Sequence, residues 1–364
     1  MRRSVDTPFL LVICVLVVSG LLIFTSAALG LLARGGASFT SVATSQVLLG
    51  LVSGGIALVV LSHIDYRLWR TWTPYFFALA LALTALTLTH FGISMKGASR
   101  WLALGPISFQ PQEVLKFASI AFLAALYASR VRDIRTFRAG ILPLILIAGA
   151  ASLVLLLQPN TAGVVIICGS CAAMLFAAGG RISHILVLFM IGVVIVGALA
   201  LERPYLRARF ETFFNPGRDA QGSGYQVQQS LIAIGSGGFW GRGFGQSIEK
   251  FSYLPEPIGD SIFAVVGEEF GFVGSTALVF LFAAFALLGL RIAARAPDTF
   301  GSLLVIGLVV LIAGQSFINI ASAIGILPLS GEPLIFVSHG GTALAIALAE
   351  VGVILSVSRR MKQG

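Results

Sequence analysis

Long apolar runs alternate with short polar breaks along almost the whole 364-residue chain. Ten such runs cover 9–32, 41–63, 74–91, 112–128, 140–157, 163–180, 185–201, 261–290, 301–326 and 334–357. Crossing about 30 Å of hydrocarbon takes about 20 helical residues, so each run is read as a membrane span. Lipid offers backbone groups no hydrogen-bond partner, which leaves helices or closed barrels, and unbroken apolar runs fit helices. The predicted fold is all-α: a polytopic membrane protein of about ten spans with a long extracytoplasmic loop, 202–260, between spans seven and eight.

Composition agrees. The chain is 57% hydrophobic and 11% charged, with a mean hydropathy of +0.97, whereas soluble domains carry roughly 25% charged residues. The net charge of +9 sits in scattered short loops rather than on one face, which excludes a nucleic-acid footprint. With both termini in the cytoplasm, Arg2, Arg3, Arg67, Arg70, Arg130, Arg132, Arg135, Arg138, Arg181, Arg291, Arg295, Arg359, Arg360 and Lys362 fall inside. The short outer loops then hold Arg34, Lys96 and Arg100, as the positive-inside rule requires. The first run continues to Leu32 without a small-residue cleavage site and reads as a retained span. Cys168 and Cys171 have C-x-x-C spacing inside an apolar run, with no second pair, and read as packing.

Ionisable groups at membrane depth are costly and mark function by default. Glu113 and Lys116 follow Pro111, which suits a first helical turn, and share a helix face. They form a structural pair or a polar patch on a substrate groove. Glu268 and Glu269 follow Gly267, and a basic group of the long loop is the simplest partner for one of them. Gln158-Pro159-Asn160 breaks two spans apart with amides that can satisfy freed backbone groups. Within 202–260, six glycines in 235–245 permit positive φ and close backbone approach, without the strand context of a dinucleotide site. Asp260 stands where this loop becomes helix, so it is read as a helix N-cap, a general base at the membrane surface, or a ligand for a divalent cation.

Taken in order, these pieces resemble the SEDS family (shape, elongation, division and sporulation), whose members include FtsW and RodA. The matching motifs are Ser26-Ala27-Ala28, Arg100-Trp101, Gln110-Pro111 with Glu113 and Lys116, Gln158-Pro159 with Thr161 and Gly163, and Tyr225-Gln226 with Gln229-Ser230. They continue with the glycine loop, Leu254-Pro255-Glu256 with Asp260, Gly267-Glu268-Glu269, and Asn319 followed by Leu327-Pro328 and the stretch Ser330–Gly341. Departures from the family pattern are Gln112 for Ser, Asn160 for Asp, Ile258-Gly259 for His-Thr, Ile335 for Pro and His339 for Tyr. Gly267 and the Ser26-Ala27-Ala28 stretch resemble the division branch more than the elongation branch.

The resemblance implies a peptidoglycan glycosyltransferase that polymerises lipid II during septal wall synthesis. It implies Asp260 as catalytic base or as ligand of a divalent cation such as Mg²⁺, with no organic cofactor. Arg100, Glu113, Lys116, Arg242 and Ser338 are the expected substrate contacts. The expected partners are lipid II, a class B penicillin-binding protein, other divisome proteins and membrane lipids, with no nucleic acid. The competing readings are a lipid II flippase using Glu113, Lys116 and Glu350 as a polar path, a RodA-like elongation polymerase, and a non-catalytic scaffold for a penicillin-binding protein.

Overall fold

The computed structural model describes residues 5–33, 39–95, 98–104, 107–215 and 222–361. Helices lie over all ten apolar runs. They are α1 (Thr7–Ala33), α2 (Phe39–Thr44) continued through a π-wound stretch into α3 (Ser53–His63), α4 (Arg67–Leu86) and α5 (Pro111–Ser129). Then come α6 (Leu142–Leu157), α7 (Thr161–Ala177), α8 (Ile182–Glu202), α12 (Ile262–Ala294), α13 (Thr299–Ala323) and α14 (Gly341–Ser358). Counting α2 through α3 as one, seven are long and apolar enough to cross a membrane by length and composition. The other three are α4, which opens with Arg67 and Arg70, α5, which carries Glu113 and Lys116, and α7, with 17 residues.

Burial sorts these helices. In the most apolar window of α14, 89% of residues are inside the protein and in α13 72%, against 0% in α8, so α13 and α14 form the centre and α8 lies at the edge. The exposed faces of α8 are Leu, Val, Ile, Phe and Met, as lipid demands. Large buried residues such as Phe282 and Phe285 of α12 and Leu304 and Leu308 of α13 fill the interior.

The structure departs from the sequence-based elements in four places. The long loop is itself helical: α9 (Pro204–Phe214), α10 (Ser223–Ser236) and α11 (Glu249–Ser252) fold against the bundle end. The helix predicted over 334–357 begins only at Gly341, because Pro333 and the Gly340-Gly341 pair keep the preceding stretch non-helical. The helix predicted over 74–91 runs from Arg67 to Leu86, its charged first turn being compatible with helix though not with lipid. A small antiparallel sheet, β1 (Gly92–Met95), β2 (Ala98–Leu104) and β3 (Ile107–Phe109) in the order β1-β2-β3, fills the connection before α5.

Candidate active site

The turn that carries Asp260 is held from below by its backbone. Ser261, not Asp260, occupies the N-cap position of α12 and makes no side-chain cap bond, so the capping role does not fall to Asp260. Three successive carbonyls of the turn accept hydrogen bonds from the 319–339 region. His339 N donates to Ile258 O at 2.7 Å, Ser338 Oγ to Gly259 O at 3.0 Å and Asn319 Nδ2 to Asp260 O at 3.2 Å. Ser338 is fixed in turn, since its Oγ accepts from Leu334 N and its carbonyl from Gln46 Nε2. Gln46 lies in the π-wound stretch between α2 and α3, where its Oε1 also accepts from Gly340 N. Irregular backbone at this depth is tolerable because side chains satisfy it. Two non-glycine residues with positive φ, Glu256 (48°) and Phe336 (69°), flank this interlock, the kind of local strain that packed surroundings sustain.

Beneath the turn lies a buried ionic cluster. The Lys116 ammonium contacts Glu113 Oε2 at 2.9 Å, Glu332 Oε2 at 3.1 Å and Gln315 Oε1 at 2.7 Å. Asn160 Nδ2 donates to Glu332 Oε1 at 2.7 Å and to Gln112 Oε1 at 2.9 Å, while Asn160 Oδ1 accepts from Gly163 N as the cap of α7. Glu113, Lys116 and Glu332 are 5%, 1% and 0% exposed, so this is dry protein rather than a surface patch. Buried charges persist where pairing and hydrogen bonds saturate them. The predicted Glu113–Lys116 pair is therefore present, and Glu332 is the additional partner that sequence spacing did not reveal. Asn319 joins cluster to turn, since the same Nδ2 donates to Glu332 O at 2.9 Å and to Asp260 O.

On the open side, Asp260 is half-buried and faces Gly331, whose φ of +68° suits glycine. A Cβ added there would lie 3.9 Å from Asp260 Oδ2 and 3.1 Å from Arg209 Nη2, so the carboxylate and a guanidinium converge on one spot. Arg209 belongs to α9, stacks on Tyr205 at 4.5 Å, and donates through Nη1 to Leu329 O at 2.7 Å and Ser330 O at 3.2 Å. Burial lowers its pKa, offset in part by Asp260, yet a guanidinium stays charged at any working pH. Arg209 was not among the expected substrate contacts. Arg100 is close enough to Arg209 to oppose its charge, and its Nε and Nη2 donate to Gln158 O (3.1 Å) and Pro159 O (2.5 Å).

Arg242 is elsewhere. Its Nε sits 3.5 Å from Glu268 Oε1 at a kink in α12, where Gly271 has φ 63° and ψ −159°. The glycine loop packs on that kink: Arg242 N and Gly243 N donate to Glu268 O and Glu269 O, and a Cβ at Gly241 would stand 2.2 Å from Glu269 O. Its glycines thus admit backbone against backbone. Glu268 also accepts from Ser247 Oγ and Ile248 N, while Glu269 pairs with fully buried Lys250 and with Ser26 of α1. Both glutamates therefore find basic partners in the loop, where the sequence predicted such a partner for one of them.

Among the described residues no three His, Cys, Asp or Glu side chains gather to hold a metal ion. Asp260 and the Arg209 guanidinium instead converge above Gly331.

The FtsW/RodA/SpoVE family model, described as cell cycle protein, matches residues 6–363, and the chain belongs to that family. It is 41% identical to stage V sporulation protein E of Bacillus subtilis over 307 residues, 84% of each chain. It is 37% identical to a probable peptidoglycan glycosyltransferase FtsW of Trichlorobacter lovleyi, covering 87% of this chain and 83% of that one. A structure titled for the structural coordination of polymerization and crosslinking by a peptidoglycan synthase complex superposes with a TM-score of 0.76 at 26% identity, covering 94% and 97% of the two chains. The rod shape determining protein RodA of Thermus thermophilus shares the fold, with a TM-score of 0.68 at 23% identity over 99% of each chain.

Proposed function

We propose that this protein is a peptidoglycan glycosyltransferase that polymerises lipid II, with Asp260 as its general base. The names of the relatives support the enzyme class, and one observation carries the assignment of the base. Asp260 is a half-buried carboxylate at the loop end of the bundle, on a turn whose backbone is anchored at three carbonyls while its side chain converges with the Arg209 guanidinium above Gly331. A partly exposed carboxylate on an anchored backbone is the arrangement a base requires.

In the reaction, the 4-hydroxyl of the acceptor sugar gives its proton to Asp260. Its oxygen bonds to the anomeric carbon of the prenyl-linked donor, the bond from that carbon to the diphosphate breaks, and the diphosphate leaves with the electron pair. The configuration inverts. Nearby positive charge stabilises the leaving group. The Asp260 end faces out of the cytoplasm with both termini inside. The Ser26-Ala27-Ala28 and Gly267 motifs favour the division branch, with a class B penicillin-binding protein as the partner we expect. The flippase reading loses its path, because Glu113, Lys116 and Glu350 are 5%, 1% and 3% exposed and Lys116 is committed to Glu113, Glu332 and Gln315.

Full-length protein in nanodiscs with lipid II tests the assignment. Glycan ladders on gels from the wild type and none from Asp260→Ala support it. Ladders of equal intensity from both, or lipid translocation without polymer, contradict it.

A further inference from the structure

The reading above calls for a positive charge at the departing diphosphate, and the structure narrows which one. Lys116 is saturated by Glu113, Glu332 and Gln315 in dry protein. Arg242 sits on Glu268 at the α12 kink. Arg100 donates two of its nitrogens to the carbonyls of Gln158 and Pro159. Arg209 alone among these four converges with Asp260 over Gly331.

Its surroundings are those of a designed anchor. The two backbone carbonyls on Nη1 and the Tyr205 ring fix the guanidinium plane, while Nη2 points toward the spot that glycine keeps clear. A planar guanidinium held this way offers paired N–H groups that match phosphate oxygens. Arg209 also borders a small, mostly apolar cleft of about 110 Å³ between α9, α10 and the end of α13, lined by Phe213, Val227, Leu231, Ile324 and Leu329. One charged fork on the rim of an apolar cleft suits an amphipathic ligand with an anionic head and a hydrocarbon tail.

We propose that Arg209 binds the diphosphate of a prenyl-linked substrate, with the first isoprene units in the Phe213–Val227–Leu329 cleft and Gly331 keeping the space between Arg209 and Asp260 open. This rests on the glycosyltransferase reading for its role in the reaction, but binding is measurable without turnover.

The experiment is direct binding of farnesyl diphosphate, farnesyl monophosphate and inorganic pyrophosphate to the full chain in nanodiscs, all in the Asp260→Asn background, with melting temperature followed in parallel. Farnesyl diphosphate should bind more tightly than farnesyl monophosphate. Arg209→Gln should weaken the diphosphate by about tenfold or more and erase that preference, one charge-assisted contact being worth at least that much. Val227→Trp, which fills the cleft, should weaken farnesyl diphosphate and leave inorganic pyrophosphate unchanged. Arg209→Gln binding farnesyl diphosphate as tightly as its parent overturns the proposal. If Arg209→Gln does not fold, Arg209→Lys decides, since a point charge in place of the fork should reduce the preference for diphosphate and an unchanged preference overturns the assignment. Arg209-dependent binding together with an Asp260→Ala protein that still polymerises would leave this inference standing and remove the general base instead.

Discussion

Among the described residues two lysines are buried, each against carboxylates, and they serve different ends. Lys116 lies between Glu113 and Glu332, and through Asn319 its cluster reaches the backbone of the Asp260 turn. Lys250 lies against Glu269 and Ser26, tying the loop to α1 and to the kink of α12. The first cluster positions a partly open carboxylate, and the second fastens the glycine loop that covers the kink. Burying a lysine is thus no signature of chemistry in itself. What separates the two is where their hydrogen bonds lead.

Removing either ammonium leaves carboxylates buried without a counter-charge, which costs about 3–5 kcal/mol. Lys116→Met and Lys250→Met should both lower the denaturation midpoint by comparable amounts in detergent. At temperatures where each variant is still folded, Lys116→Met should polymerise lipid II more slowly, because the Asp260 turn shares its support, whereas Lys250→Met should stay near the wild-type rate. Equal losses of rate at equal folded fraction would erase the distinction.

Asn319→Ala sharpens the same contrast. It deletes the donor shared by Glu332 O and Asp260 O, at about 1–3 kcal/mol for an acceptor left unsatisfied. The expected result is a modest drop in melting temperature and a larger drop in turnover than in substrate affinity. An unchanged turnover would mean that the turn holds itself.

The smallest effect belongs to Glu249, beside the second cluster. Burial and the Glu268 charge raise the pKa of its carboxyl, with Arg242 opposing. A raised folded pKa means that the ionised form is disfavoured in the fold. Stability is therefore full below the ordinary carboxylate range and falls as pH climbs through that range toward the raised value. Glu249→Gln cannot ionise, so it should melt slightly higher than wild type at neutral pH and at the same temperature in acid. Thermal scans across that window check the sign.

Much of the frame was legible in the sequence because lipid enforces it. The ten apolar runs each became helix, and the i,i+3 spacing of Glu113 and Lys116 became contact. Three things were not legible. Glu332 reaches Lys116 across 216 positions of chain, a distance that no local period encodes. The stretch before Gly341 sits in an apolar run yet stays non-helical, since hydropathy measures affinity for the interior and not backbone shape. Arg209 was hidden among similar neighbours. Arg207 pairs with Glu211 in the open, whereas Arg209, about 200° around the same helix, turns inward. Only the docking of α9 on the bundle tells the two apart.

The central claim is that the Asp260 carboxylate removes the acceptor proton while the buried cluster below only holds its backbone. Its most direct measurement is the lipid II polymerisation rate of Asp260→Asn beside wild type, with the melting temperature of each. The account predicts a loss of about 10²–10⁴-fold, the usual contribution of a positioned general base, with the melting temperature essentially unchanged. A rate within a few-fold of wild type would contradict it.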